Sequence, residues 1–333
     1  MESTVDVQQL FFQHIKGILP PHLSLVEEIA EHLAISNDSA YRRIRGEKPI
    51  SFEEIRKLCS AYKISLDQFL HLQSDSFIFT GKLPENTDHF FENWLNDLLR
   101  SFSMIQSFEK KHFYFLAKDL PFICFFQVPE LATFKIFLWL RTFVNHDEIR
   151  TRKFSLKNNY PAYEELGRKI IRVYNQIPTT EIWNLACLSA TLWQIEFYRE
   201  ANVFESREDV LTLYDKLEEL VNHCEQQAET GKKFGLGEKP TAASADYQLF
   251  INELFLGDNT VIAELNHTKM SFLNHSVLHN VATRDERFSN FTYDAMMNLV
   301  RKSTQISTVG EKSRTRFFNA LREEIFNRKK GVN

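Results

Sequence analysis

Amide, hydroxyl and guanidinium side chains are concentrated between residues 36 and 48. The set is Ser36, Asn37, Asp38, Tyr41, Arg42, Arg43, Arg45 and Lys48. Residues three and four apart are neighbours on a helix surface, so most of this set would share one outward arc. That arc holds Asn37, Asp38, Tyr41, Arg42 and Arg45. Such groups hydrogen-bond to base edges or hold phosphate, and the spacing therefore predicts a helix that binds nucleic acid.

Different roles are expected within the set. Arg42 is assigned to base or groove recognition, and Arg43 and Arg45 to phosphate contacts or packing. Tyr41 has an alternative place at the edge of the core. Asp38 would be repelled by phosphate, so it either accepts a hydrogen bond from a cytosine amino group or stabilises the helix N-terminus.

Local charge agrees with this interpretation. The whole chain carries a net charge of -4, so any nucleic-acid surface must be local. Residues 42–63 hold seven basic and three acidic residues, a net charge of +4. A local excess of basic residues is typical of proteins whose DNA affinity depends on phosphate contacts. The alternative is a run of solvated charges without a binding role, as any helical bundle can have.

The surrounding sequence predicts the helices that would position these side chains. A first helix over residues 7–19 would bury the apolar face formed by Val7, Leu10, Phe11, Ile15 and Ile18. Three capping boxes then mark helix starts: Ser24-x-x-Glu27, Ser51-x-x-Glu54 and Ser65-x-x-Gln68. Between them, Ser36 caps a short helix that packs Ala40 and Ile44 inward, and Gly46 ends it in the left-handed conformation.

This arrangement resembles the lambda-repressor-like, Cro-type helix-turn-helix domain (XRE family) of bacterial transcription regulators. The resemblance covers residues 7–72 and rests on these segments: Glu28-Ile29-Ala30, Leu33-Ala34-Ile35-Ser36, Gly46, Pro49 and Ile64-Ser65-Leu66-Asp67-Gln68-Phe69. It implies a five-helix bundle that places residues 37–45 in the major groove of double-stranded DNA. Two positions depart from the family pattern: Ala34 replaces a frequent glycine, and Ile44 stands where many relatives carry Glu.

The overall prediction is a mainly α protein, with an N-terminal five-helix DNA-binding bundle and a larger, mostly helical C-terminal region that contains a small β-hairpin. The expected divisions are a helix-turn-helix domain at 1–73, a linker at 74–86, a helical effector or oligomerisation region at 87–240 and an α+β region at 241–333. Helices are predicted near 161–176, 179–201, 207–229, 284–302 and 311–329. A short strand is expected at 112–116. A hairpin is expected to join 247–256 to 260–265, with a third strand near 270–273.

Aromatic residues are unusually abundant, with 30 Phe in 333 residues. The most apolar stretch runs from Leu120 to Leu140 and is interrupted by Pro121, Pro129, Glu130 and Lys135. A membrane span would lack such interruptions, so a buried aromatic-rich helix pair is predicted, with Phe125, Phe126, Phe137 and Trp139 in the core. An apolar ligand pocket lined by these rings is the alternative.

Several functional classes are not supported. No nucleophile elbow or His-Glu-x-x-His motif occurs, so an enzyme is not expected. His267, His275 and His279 are close in sequence, but surface or core histidines explain them better than a metal, and neither metal nor cofactor is predicted. The four cysteines are far apart and fit a reducing compartment, hence a cytoplasmic protein.

The expected function is a cytoplasmic, sequence-specific, DNA-binding transcription regulator. It would act as a homodimer whose C-terminal region senses a small-molecule or peptide effector or oligomerises. The alternative is a helical scaffold whose N-terminal bundle binds protein rather than DNA. A peptide-sensing regulator built on helical repeats is a third possibility, but the predicted hairpin and the lack of a repeat count against it.

Overall fold

The structure is a computed structural model of the chain. It describes residues 6–19, 23–62, 64–70, 77–81, 89–144, 147–254, 257, 259–266, 268–276 and 278–332. The chain divides into two compact units, Met1–Ile78 (unit 1) and Phe79–Asn333 (unit 2). The boundary expected near residue 240 falls inside unit 2, and most of the expected linker lies outside the described residues.

The described part of unit 1 contains five helices. They are α1 (Val7–Ile18), α2 (Leu25–Leu33), α3 (Asn37–Ile44), α4 (Phe52–Tyr62) and α5 (Leu66–Phe69). Their shared core includes Phe12, Ile29, Ala40 and Leu58. The predicted inward face of α1 is partly wrong, because Val7 and Leu10 are exposed while Phe11, Phe12 and Ile15 are buried.

Of the three capping boxes predicted in unit 1, the structure confirms the one at Ser51 and does not confirm the one at Ser24. Ser51 and Glu54 form the predicted reciprocal box: the Ser51 N–H donates to Glu54 Oε2 (2.9 Å) and the Glu54 N–H donates to Ser51 Oγ (3.2 Å). Ser24 precedes α2, but its side chain makes no cap hydrogen bond with a described residue. The Gln68 side chain of the third box lies outside the described residues. Gly46 adopts the predicted left-handed conformation, with φ +76°.

The described helices of unit 2 largely follow the predicted pattern. They are α6 (Phe90–Gln106), a 3₁₀ helix (Phe122–Gln127), α7 (Pro129–Trp139), a π-helical turn (Leu140–Val144), α8 (Asp147–Arg150), α9 (Pro161–Tyr174), α10 (Ser189–Glu200), α11 (Arg207–Thr230), α12 (Glu286–Lys302) and α13 (Glu311–Lys330). The helix expected over 179–201 is wrong in its first part, because residues 179–183 form a strand.

The prediction of a mainly α fold with one small hairpin is wrong, because unit 2 is built around a seven-stranded mixed sheet. Its strands are β1 (Lys111–Leu116), β2 (Thr179–Trp183), β3 (Tyr247–Ile251), β4 (Thr260–Leu265), β5 (Thr268–Ser276), β6 (His279–Thr283) and β7 (Thr304–Gln305). Their order is β6-β5-β4-β1-β2-β3-β7. Strands β1, β2 and β3 are parallel, with Phe113 opposite Thr179 and Thr179 opposite Tyr247, and the remaining pairs are antiparallel.

The expected hairpin between residues 247–256 and 260–265 does not form. Both segments contain strands, but β3 pairs with β2 and β7, whereas β4 pairs with β1 and β5. The strands β1 and β2 therefore lie between them. The prediction was wrong because the connection between β3 and β4 is short, and a short connection usually joins paired antiparallel strands. The third predicted strand, near residues 270–273, is confirmed as part of β5.

The aromatic-rich stretch forms core, as predicted. Phe125, Phe126, Phe137 and Trp139 are all buried in the large hydrophobic cluster of unit 2. Within the described residues, no helix is both long and apolar enough to cross a membrane.

Candidate nucleic-acid interface

A tight turn between α2 and α3 sets the position of the predicted recognition helix. Ala34 occupies the left-handed region with φ +55°, where a Cβ atom costs free energy. The Ile35 N–H donates to Ala30 O at 3.0 Å and closes the turn. Ser36 then caps α3, since its Oγ accepts from the Ser39 N–H at 3.3 Å. Only three residues thus separate the end of α2 from the start of α3 at Asn37.

The inward face of α3 is formed by Ala40, Arg43 and Ile44. Ala40 is fully buried and Ile44 packs against the core of unit 1, as predicted. Arg43 was grouped with the candidate contact residues, yet only 6% of its surface is exposed. The structure therefore separates Arg43 from the outward residues of the set.

Arg43 is held by an ion pair with Glu54 of α4. Arg43 Nη2 lies 2.7 Å from Glu54 Oε1, Nε donates to Oε2 at 3.2 Å, and Nη1 donates to Ser39 O at 3.1 Å. Burial acts to raise the pKa of Glu54, but hydrogen bonds from Arg43 and Ser51 outweigh it and hold that pKa below its ordinary value. Glu54 thus joins the start of α4 to the last turn of α3.

Gln8 of α1 fixes the segment that follows α3. Its Nε2 donates to Arg43 O (2.7 Å) and Lys48 O (2.8 Å), and its Oε1 accepts from the Ile50 N–H (2.9 Å). The neighbouring Gln9 donates to Arg45 O at 2.8 Å. Neither glutamine is a candidate from the sequence, because no local pattern connects residues some 35 positions apart.

The remaining candidate residues are exposed. They are Ser36, Asn37, Asp38, Tyr41, Arg42, Arg45 and Lys48. Tyr41 is 48% exposed, so its alternative place at the edge of the core is wrong. The Arg45 guanidinium carbon lies 5.5 Å from the centroid of the Tyr41 ring. The outward face of α3 therefore presents an amide, a carboxylate, a phenol and two guanidinium groups to solvent.

Glu47 partly neutralises this face. Its carboxylate lies 3.3 Å from Arg45 Nε and 4.0 Å from Arg42 Nε, and all three side chains are about half exposed. Exposed ion pairs of this kind contribute about 0–1 kcal/mol. Both arginines can therefore exchange Glu47 for another anion at little cost.

Comparisons of this chain with protein families, with curated proteins and with solved structures found no match. Among the described residues, no group of three or more His, Cys, Asp or Glu side chains could hold a metal ion. His267 and the His275 side chain lie outside the described residues, and His279 belongs to β6 rather than to a helix.

Proposed function

We propose that unit 1 binds double-stranded DNA in a sequence-specific manner and that the protein regulates transcription. The observation that carries this proposal is the outward face of α3, which is polar and exposed. Helix α3 itself packs on the core of unit 1 beside α2, and hydrogen bonds from Arg43 to Glu54 and from Gln8 to Arg43 O fix its position. The resemblance to the XRE family, which rests on segments between Glu28 and Phe69 that surround this face, supports the same function.

The chemistry of the face fits the major groove. A groove about 12 Å wide admits one α-helix, and Arg and Asn side chains form paired hydrogen bonds with guanine and adenine edges. We assign base contacts to Asn37 and Arg42, and phosphate contacts to Arg45 and Lys48. Arg43 acts through position only, because its guanidinium is engaged by Glu54.

The protein would act in the cytoplasm as a homodimer. One module of this size reads only a few base pairs, so two half-sites are needed for adequate specificity. The dimer contacts would lie in unit 2. An effector would bind to the same unit.

Selection of bound duplexes from a random pool, followed by titration at several salt concentrations, tests the proposal. Arg42→Ala should lose about 1–3 kcal/mol on the selected site and relax preference at one base position. Arg45→Ala should weaken all duplexes alike and reduce the salt slope by about one. Lys16→Ala, an exposed cation in the last turn of α1, is the matched control and should bind as the wild type does.

Glu47→Gln is expected to raise the affinity for DNA, whereas the two arginine variants are expected to lower it. Removing a carboxylate beside two arginines removes both repulsion of phosphate and competition for the guanidinium groups, so affinity should rise for every duplex. Loss of affinity, or no binding of any duplex at low salt, would contradict the proposal. Absence of binding to any duplex at low salt would favour the alternative, a helical scaffold whose N-terminal bundle binds protein.

A further inference from the structure

Unit 2 contains a cavity of about 1420 Å³. Its lining residues come mainly from helices α6, α7, α9 and α10, from the 3₁₀ helix and from strands β1, β4, β5 and β6. Much of its wall is aromatic and comprises Trp94, Phe102, Phe115, Phe122, Trp139 and Phe272. Ligand cavities are usually about 300–1000 Å³ and mostly apolar, with a few polar groups that fix orientation. The lining of this cavity suits a small molecule with an apolar body, which would fill only part of the volume because the cavity is larger than that range.

One charged side chain of the cavity wall is almost completely buried. Lys135 of α7 is 5% exposed, and its Nζ donates to Thr191 Oγ1 (2.8 Å) and Gln194 Oε1 (2.7 Å). The same Nζ lies 4.2 Å from the centroid of the Phe125 ring. Lys135 and these three partners all line the cavity. Among the described residues, no carboxylate forms an ion pair with Lys135.

A buried ammonium group without a counter-ion is unfavourable, because its hydration is lost and only neutral dipoles replace it. Burial accordingly lowers the pKa of Lys135 to about 7, although the charge of Asp119 opposes this shift. Asp119 also lines the cavity but forms no ion pair with Lys135, so an anion placed beside Nζ would supply a contacting counter-ion. The lysine is therefore suited to an anion that arrives with a ligand.

Lys233 shows how a purely structural buried lysine differs. Its Nζ donates to Tyr174 O (2.8 Å), Ile177 O (3.2 Å) and Thr179 Oγ1 (2.8 Å), so three acceptors match its three N–H groups. Burial lowers the pKa of Lys233 to about 7, as it does for Lys135, and the charge of Glu181 opposes this shift, so the two lysines differ in their hydrogen-bond partners rather than in their pKa. Lys233 does not line the cavity. Lys135, by comparison, has only two neutral oxygen acceptors for the three N–H groups of its ammonium.

We infer that this cavity binds an amphipathic monocarboxylate, with the carboxylate paired to Lys135 and the apolar body against the aromatic wall. This inference goes beyond DNA binding and does not rest on it. The direct measurement is ligand binding, so its failure would leave the proposed function untouched.

Two carboxylates, decanoate and 2-naphthylacetate, are the probes, and decanol is the neutral analogue of decanoate. Binding is followed by calorimetry and by the fluorescence of Trp94 and Trp139. We expect both carboxylates to bind saturably. Lys135→Met should weaken their binding about tenfold or more, because a charged hydrogen bond is lost, and should leave decanol binding unchanged. Lys169→Met, at an exposed lysine of α9, should bind all three probes as the wild type does.

Gln194→Glu is the second variant and keeps the lysine. It places a carboxylate beside Nζ, so it should satisfy the lysine internally and exclude the ligand carboxylate to a similar degree. This variant decides the question if Lys135→Met does not fold. The inference is overturned if neither carboxylate binds saturably to the wild type, or if Gln194→Glu binds both with unchanged affinity.

Discussion

Replacing Glu54 with Gln tests whether an ion pair holds the predicted recognition helix in place. Glutamine keeps a side-chain oxygen that can accept from the Ser51 N–H, so the cap of α4 is retained. It removes the charge that faces Arg43, whose side chain is 8% exposed against 18% for Glu54. Breaking a fully buried pair from one side costs about 3–5 kcal/mol. Because Glu54 is partly solvated, we expect a smaller loss of about 2–3 kcal/mol.

That loss is a large part of the ~5–15 kcal/mol typical of a folded domain. The four tryptophans all lie in unit 2, so hydrogen exchange of peptides from residues 23–62 is the appropriate measurement in the full chain. The most protected amides should exchange about 30- to 150-fold faster in Glu54→Gln, since 1.4 kcal/mol corresponds to tenfold. Glu53→Gln is the matched control, because Glu53 pairs with exposed Arg56 on the surface of α4. Equal exchange in the two variants would refute the reasoning.

The same pair makes unit 1 sensitive to acid. The pKa of Glu54 is lower in the folded than in the unfolded chain, so the pair stabilises unit 1 above the ordinary carboxyl pKa of 4.5. This stabilisation is lost as the pH falls below that value and through the folded pKa. The intrinsic exchange rate itself falls with pH, so the measured rates are divided by it to give protection factors. These protection factors should therefore decrease in acid more steeply in the wild type than in Glu54→Gln. Parallel pH profiles would contradict this expectation.

Three further predictions follow from the fold. Ala34→Gly should stabilise unit 1 by about 0.5–1 kcal/mol in the same exchange assay, because relief of left-handed strain exceeds the entropy cost of glycine. Ala30→Gly, at a buried position inside helix α2, should destabilise it. Phe137→Ala should cost unit 2 about 3–5 kcal/mol in urea unfolding followed by tryptophan fluorescence, whereas Phe291→Ala, at a ring that is 74% exposed, should change little. The full chain should sediment as a dimer, and a monomer both free and on DNA would contradict the proposed mode of binding.

Much of the secondary structure of unit 1 could be predicted from local sequence signals. The caps at Ser36 and Ser51 and the left-handed stop at Gly46 act within about four residues, through backbone sterics and single hydrogen bonds. The exposed residues of α3 could likewise be predicted from helical spacing. For Arg43 the sequence left phosphate contacts and packing open, and the structure shows packing. The choice between them could not be made from the sequence, because the partner Glu54 lies on another helix.

Most helix boundaries and the side chains that α3 exposes therefore follow from local patterns in the sequence. The sheet of unit 2 and the surroundings of Lys135 depend instead on contacts between distant segments of the chain. All five residues of β2 are buried, so the strand lacks the alternation that marks a half-exposed strand. Its partners β1 and β3 are more than 60 residues away in the chain. Strand pairing and cavity lining join residues distant in sequence, and their free energy comes from burial that no local window contains.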